Sequence, residues 1–287
     1  MNFLGYAHWF MSIIISQMRD NFISVDQAKY ITSIVAKYLD IATVKANAKF
    51  YMTNLPYDMI LNKADSSTSD EQVENLTKEF NIHYRACIGS FIYFLSTRVD
   101  LSFAVQKLET FSENSGELHF EGLVHLLRYT RDNKNLGLKY YANINDAPVS
   151  DLLRQASIKN ENHLMDCFGS SWQECPEHRR STGVYSILYQ GGPIEHDTHV
   201  PVDKASVEIE YNAARTLGMA LAHFRMLIHE LLNKDPEIVP EEDPLIVLDS
   251  KCAMCMANNG KDTKHTSHIS RIMNFVRNGK KVQDAQY

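Results

Sequence analysis

Nowhere does this 287-residue chain offer an uninterrupted apolar run of about 20 residues, the length a helix needs to cross a bilayer. No membrane span is therefore expected. The N-terminus, MNFLGYAHWFMSIIISQM, is apolar, but no Lys or Arg precedes its apolar part and no small-x-small cleavage site follows. It reads as a pair of buried strands rather than as a leader. Cysteine is scarce: Cys87, Cys167, Cys175, Cys252 and Cys255 are odd in number and scattered. That argues against a disulfide framework and for a reducing, intracellular compartment, cytoplasmic or nuclear. An excess of positive charge is also missing. The net charge is −6, so any nucleic-acid contact needs a local basic face. There is no G-x-S-x-G elbow for a serine hydrolase and no internal repeat.

What is present is ordinary for a globular protein: 44% apolar and 22% charged residues. The length suits one large domain or two ordinary ones. Residues 3–24 read as strands, FMSIII and FISV, divided by the polar turn MRDN. Asp26 is placed to cap a helix over 27–39, where Ala28, Ile31, Ile34, Val35 and Tyr38 form one apolar stripe. Residues 40–80 read mostly as loop, with a short helix near EQVENLTKEF. Helical patterns follow near 84–96, 100–112 and 117–132, then a short strand in LGLKYY. Residues 142–160 lack a strong period and contain Pro148, which suggests a boundary.

The second half changes character. Strands are expected at 163–169, 182–190 and 193–200, the last two divided by Gly191-Gly192-Pro193. A long helix covers about 206–232, a strand LIVLD follows Pro244, and helices follow near 250–258 and 264–277. This succession predicts an α/β layer with a mixed sheet.

Two carboxylates stand out. Asp249 closes LIVLD, and carboxylates at strand ends of α/β sheets often face a site; the plain alternative is a helix N-cap. Glu208 and Glu210 are two apart, so on a helix they point about 200° away from each other. Glu210 extends the stripe of Ala214, Leu217, Leu221, Phe224, Ile228 and Leu231, and Glu208 does not. A partly buried Glu210 needs a partner, which a metal or a basic residue would supply. Clustered carboxylates of this kind can hold hard divalent ions, Mg2+ or Mn2+, for phosphodiester hydrolysis.

Other patterns carry less. Cys252-x-x-Cys255 followed by His265-x-x-His268 misses the usual zinc-finger spacing, and buried thiols are the simpler reading. Residues 261–287 hold six lysines and arginines, among them Lys264, Arg271 and Arg277, against two aspartates. That is either a phosphate-contacting face or a solvated helix and tail.

Six stretches, in order, resemble the C-terminal part of the Pol polyprotein of copia-type LTR retrotransposons. They are HYRACIGSFIYFLSTRVDLSFAV, LHFEGLVHLLRYTRDNKNLGLKY, RRSTGVYSILYQGGPI, ASVEIEYNAA, LIVLDSKCAMCMANN and TKHTSHISRIMNFVRNG. The resemblance spans nearly the whole chain, and NFLG near the start is similar to the end of a reverse-transcriptase palm. It implies an α/β (α+β) protein in two parts. Residues 1–143 would be the palm end, thumb and connection-like region, and 160–287 a ribonuclease-H-like mixed-sheet domain truncated before its last strand and helix. By motif, Glu210 matches the family's helix glutamate and Asp249 its strand-four aspartate, catalytic and metal-binding residues that remain from a set of four carboxylates. Lys264, Arg271 and Arg277 would contact nucleic acid, an RNA–DNA hybrid. The polymerase part would lie upstream, and the chain holds no Asp-Asp pair of its own.

The departures shape the expectation. The family's first aspartate precedes a tryptophan at the end of strand one, and here GSSW puts Gly169 in its place. Asp166 is three residues away, about 10 Å along a strand and on the opposite face, so only a bulge would bring it round. The fourth acidic residue is expected beyond the matched segment. Asp284 is set aside because no helix follows it. Without a fifth strand the sheet would expose an edge. A catalytically inactive, degenerate product that keeps weak hybrid binding is the expectation. An active hybrid ribonuclease and a structural protein reusing the fold are the alternatives.

Overall fold

The computed structural model describes residues 8–17, 21–39, 50–149, 164–171, 182–199, 246–248 and 282–284, and, between 216 and 231, residues 216–217, 219–220, 223–224, 226–228 and 230–231. The chain divides into two compact units, residues 1–139 and 140–287.

The first unit opens on β1 (Trp9–Phe10), β2 (Ile13–Gln17) and β3 (Phe22–Asp26), which with β4 (Leu138–Tyr141) form a sheet in the order β1-β2-β3-β4. The division between units falls within β4. β1 and β2 are an antiparallel hairpin, Phe10 opposite Ile13. Its turn is Met11-Ser12, both left-handed at φ 45° and 63°, the geometry that matches strand twist in two-residue hairpins. The turn thus interrupts the stretch FMSIII that reads as one strand in the sequence. Neither residue favours positive φ, and the Tyr93 hydroxyl, donating to the Met11 carbonyl, holds the bend from outside.

Among the described residues five helices follow: α1 (Ala28–Tyr38), α2 (Asp70–Phe80), α3 (Tyr84–Phe94), α4 (Ser102–Glu109) and α5 (Glu117–Asp132). Each has a local cause. Asp26 accepts the Ala28 N–H at 3.0 Å, with Gln27 at the cap position itself, and Ile31, Ile34 and Tyr38 form the buried face. Ser69 caps α2, and left-handed Asn81 ends it. The core is where these helices meet: Ile31, Phe91, Phe94, Leu101, Leu108, Phe120, Leu123, Leu126 and Leu127 are wholly buried. Each such side chain contributes on the order of 1.5–3 kcal/mol.

The second unit carries a five-stranded sheet in the order β7-β6-β5-β8-β9, with β5 (Leu164–Ser171), β6 (Thr182–Tyr189), β7 (Gly192–His199), β8 (Ile246–Leu248) and β9 (Val282–Asp284). β5, β6 and β7 are antiparallel neighbours, while β8 joins β5 and β9 joins β8 in parallel. The mixed helix-and-strand class is as expected. The missing last strand is not: β9 pairs along β8 and covers its edge. Val282-Gln283-Asp284 has one apolar residue and no alternation, so pattern alone does not reveal a strand that exists by pairing.

The β6–β7 turn is also one step earlier than expected, at Gln190-Gly191, with φ 51° and 80°. A side chain at Gly191 would be strained and its Cβ would stand 2.6 Å from that of Ala147, so the chain spends a glycine here. Pro193 then sits on an edge strand, where its missing N–H is tolerated. The described residues between 216 and 231 are helical, with Leu217 wholly buried as the stripe requires. Leu231, at the far end of that stripe, is 70% exposed. Over the fourteen residues from Leu217 to Leu231 an ideal helical stripe drifts about 40° off register.

Candidate metal and nucleic-acid site

Of the expected site, the described residues include the ends of three strands. Phe168 on β5 is level with Leu248 on β8, and Leu248 is level with Asp284 on β9. Neighbouring strands are about 4.8 Å apart, so this row spans about 10 Å. Gly169 follows Phe168, and Asp249 follows Leu248 in the sequence. Asp249 itself lies outside the described residues, as do Glu210, Lys264, Arg271 and Arg277. The Cys252, Cys255, His265 and His268 set lies outside them too.

What is described bears on the carboxylate that is missing. From Leu164 to Ser171 every residue of β5 pairs one for one with β6, Asp166 with Ile187 and Gly169 with Val184. No bulge interrupts that run; the sheet's irregularity falls between β6 and β7, at Ile187/Leu188. Strand parity therefore assigns positions 166 and 169 to opposite faces. Asp166 does not take the place that Gly169 leaves.

Divalent ions of the Mg2+ type need several oxygen donors, and glycine brings none from a side chain. Among the described residues no three His, Cys, Asp or Glu side chains gather as a metal group. Of the described positions, Gly169 brings no side-chain ligand to such a site. Asp284 is the residue that sequence reasoning set aside and the sheet places at a strand end. Its only signal in the sequence is an acidic residue directly after Val282-Gln283.

Elsewhere, burial favours the neutral form of Cys87 and Tyr185. Burial pushes the Cys87 thiol up, far from the thiolate a reactive cysteine needs. Tyr185, 4% exposed, donates to Glu195 Oε1 at 3.0 Å, and burial followed by the Glu195 carboxylate raises its phenol. An open groove of about 470 Å3 lies beside α3 and the end of α4. Arg85 faces Glu109 and Glu113 across it, a balance that does not favour phosphate. Among the described residues no helix is long and apolar enough to cross a membrane.

Comparison with known proteins supplies the ancestry. The chain is 24% identical over 281 residues, 96% of its length, to the retrovirus-related Pol polyprotein from transposon TNT 1-94 of Nicotiana tabacum. It is 24% identical over 197 residues to the Pol polyprotein from transposon RE1 of Arabidopsis thaliana. A stretch of 98 residues is 33% identical to an uncharacterized mitochondrial protein of Arabidopsis thaliana and covers 74% of that protein. The Pol polyproteins among these relatives are of the copia type, in line with the resemblance read from the sequence. The chain spans 19% and 12% of the lengths of the two Pol relatives named here. No family profile matches it, and no solved structure does.

Proposed function

We propose that this retrotransposon-derived segment is a ribonuclease-H-type remnant that holds RNA–DNA hybrid weakly and does not cut it. On this reading residues 1–143 are the palm end, thumb and connection, residues 160–287 the ribonuclease-H-like domain, and the polymerase belongs upstream in the polyprotein. The observation that carries it is Gly169, set in an unbulged strand beside the end of β8. Glu210 and Asp249 would hold one Mg2+ or Mn2+ weakly. Losing even supporting groups costs a metal site about 10–100-fold, and losing a ligand costs more. Lys264, Arg271 and Arg277 would supply the phosphate contacts. The scattered cysteines support an intracellular setting, cytoplasmic or nuclear.

An active hybrid ribonuclease is the second reading. One observation favours it: β9 exists and ends on Asp284, level with Leu248. The test is a labelled RNA–DNA hybrid incubated with purified protein in Mg2+ and in Mn2+. No metal-dependent cleavage, with binding that weakens steeply in salt, supports the first reading. Cleavage abolished by Glu210→Gln would replace it with the second. Neither cleavage nor salt-dependent binding would leave an interaction protein reusing the fold.

A further inference from the structure

The groove beside α3 and the end of α4 has an open floor. α3 gives it Arg85, Ile88, Gly89 and Ile92, spaced three and four apart and so on one face of the helix. Ile88 is buried beneath, while Ile92 is 46% exposed. Gly89 leaves a gap between them: a Cβ there would meet nothing within 4 Å beyond its own turn of backbone. Glycine inside a helix costs stability, and here no packing within the chain requires it. The space is open to a side chain from outside.

The charges on the rim stand against their own helices. Arg85 is in the first turn of α3, at the positive end of the helix dipole. Glu109 is the last residue of α4, at the negative end, and Glu113 lies four residues on. Lys107, in the same last turn, lies over the Phe103 ring instead. Among the described residues none of Arg85, Glu109 and Glu113 has an ion-pair partner, although both signs line one groove. The Ser112 hydroxyl oxygen, shielded from water, also has no hydrogen-bond partner among the described residues. A hydroxyl left in that state is destabilising, and a bound carbonyl would relieve it.

We propose that this groove docks a peptide segment of a partner protein, one that carries an aliphatic side chain between a carboxylate and a Lys or Arg. The aliphatic side chain enters over Gly89, against Ile88 and Ile92. The basic group reaches Glu109 and Glu113, and the carboxylate meets Arg85. Ser112 donates to a carbonyl of the peptide. Two carboxylates against one guanidinium leave the rim net negative, so the basic group carries more of the affinity and the acidic one sets direction. A nucleic-acid backbone fits poorly, because its phosphates would meet that pair of carboxylates. At about 470 Å3 the groove has the size of a small-ligand pocket, so only a few peptide side chains enter it.

A displayed library of random peptides, selected on the full chain, is the probe. Enriched sequences should place Leu, Ile, Val or Met between an Asp or Glu and a Lys or Arg. A labelled synthetic peptide of that consensus is then titrated by fluorescence anisotropy. Gly89→Leu fills the gap from within and is expected to weaken binding about tenfold or more, with the helix kept because Leu favours it. Glu109→Gln combined with Glu113→Gln should weaken binding about fivefold. Arg85→Gln should cost about twofold and abolish the selection for Asp or Glu. A selection without this consensus, or a consensus peptide that binds Gly89→Leu as tightly as the parent, would overturn the proposal. So would a parent chain that sediments as a dimer and a Gly89→Leu chain that sediments as a monomer, since a second copy would then be the occupant. Should Gly89→Leu not fold, amide resonances of the parent decide: the peptide should shift those of Gly89, Ile92 and Ser112, and shifts confined to other residues overturn the proposal.

Discussion

Arg98 and Asp100 are joined by two parallel hydrogen bonds, Nε to Oδ1 at 2.8 Å and Nη2 to Oδ2 at 2.7 Å. The guanidinium is wholly buried, while the carboxylate is 35% exposed. The pair reaches further: Arg98 Nη1 donates to the Asn133 carbonyl at 3.1 Å, and the Tyr129 hydroxyl donates to Asp100 Oδ2 at 2.9 Å. The turn after α3 is thereby tied to the end of α5. Asp100→Asn keeps the shape and leaves a buried cation without its counter-charge. The expected loss is about 3 kcal/mol in urea unfolding. A loss below about 1 kcal/mol would mean the pair behaves as a surface ion pair.

Gly116, at the N-cap of α5, and Gly122, within it, should respond oppositely to alanine. At Gly116 a Cβ would stand 1.7 Å from the Asp65 carbonyl oxygen, which is backbone and cannot yield cheaply. Gly116→Ala is expected to cost about 1–3 kcal/mol. At Gly122 the nearest atoms are Leu108 Cδ2 at 3.1 Å and Met59 Sδ at 3.2 Å, the ends of flexible side chains. There the gain in helix propensity, about 1 kcal/mol, offsets the crowding, and Gly122→Ala should be close to neutral. Urea midpoints of the two variants check the contrast; equal losses would contradict it.

The helical first unit was largely legible because amphipathic stripes of Ile31, Ile34 and Tyr38, or of Leu123, Leu126 and Leu127, repeat over several turns. Asp26 was legible as a capping residue because its role is local and chemical, whereas the Ser69 cap lay in a stretch that reads mostly as loop. The Met11-Ser12 turn was not, because neither residue favours positive φ and the hold comes from Tyr93, 82 positions away. The strand β9 was hidden for a similar reason: three residues acquire their structure from β8. At the candidate site, Gly169 was legible as a departure from motif, and its unbulged register needed the pairing with β6. His119 gave no sign that it caps α5, since its acceptor nitrogen is defined only by the Gly116 N–H it meets.

Tyr140 offers a test at alkaline pH. Its hydroxyl donates to the Pro193 carbonyl at 2.7 Å, and burial raises the phenol to about 12. The fold therefore binds this proton more tightly than the unfolded chain does. Its contribution is complete below about pH 10 and is lost as pH rises from there toward about 12. Ultraviolet titration should show one phenol ionising late that is absent in Tyr140→Phe. The variant should also lose less stability between pH 9 and about 11 than the wild type. An identical titration curve for the two would contradict this.

The basic segment near the C-terminus predicts a salt slope. If Lys264, Arg271 and Arg277 each neutralise one phosphate, replacing all three by Ala lowers the slope of log K against log salt by about 2–3. Binding of a labelled hybrid between about 50 and 200 mM salt measures it. A triple variant with an unchanged slope would assign these cations to a solvated face.

Restoring a carboxylate at Gly169 tests the central claim directly. The position lies in a strand that pairs continuously with β6, one residue beyond the row Phe168–Leu248–Asp284. An aspartate there costs under about 1 kcal/mol in strand propensity, so the fold should survive, as circular dichroism can confirm. If the absent ligand is what weakens the site, Gly169→Asp tightens Mn2+ binding by about tenfold or more. Calorimetric titration reads this without relying on turnover. Glu210→Gln in the same background should reverse the gain, because both groups would hold the same ion. Asp166→Asn should leave it unchanged, since strand parity puts that position on the other face. A Gly169→Asp protein that folds but binds Mn2+ no better than the parent would mean that Gly169 is not what limits the site.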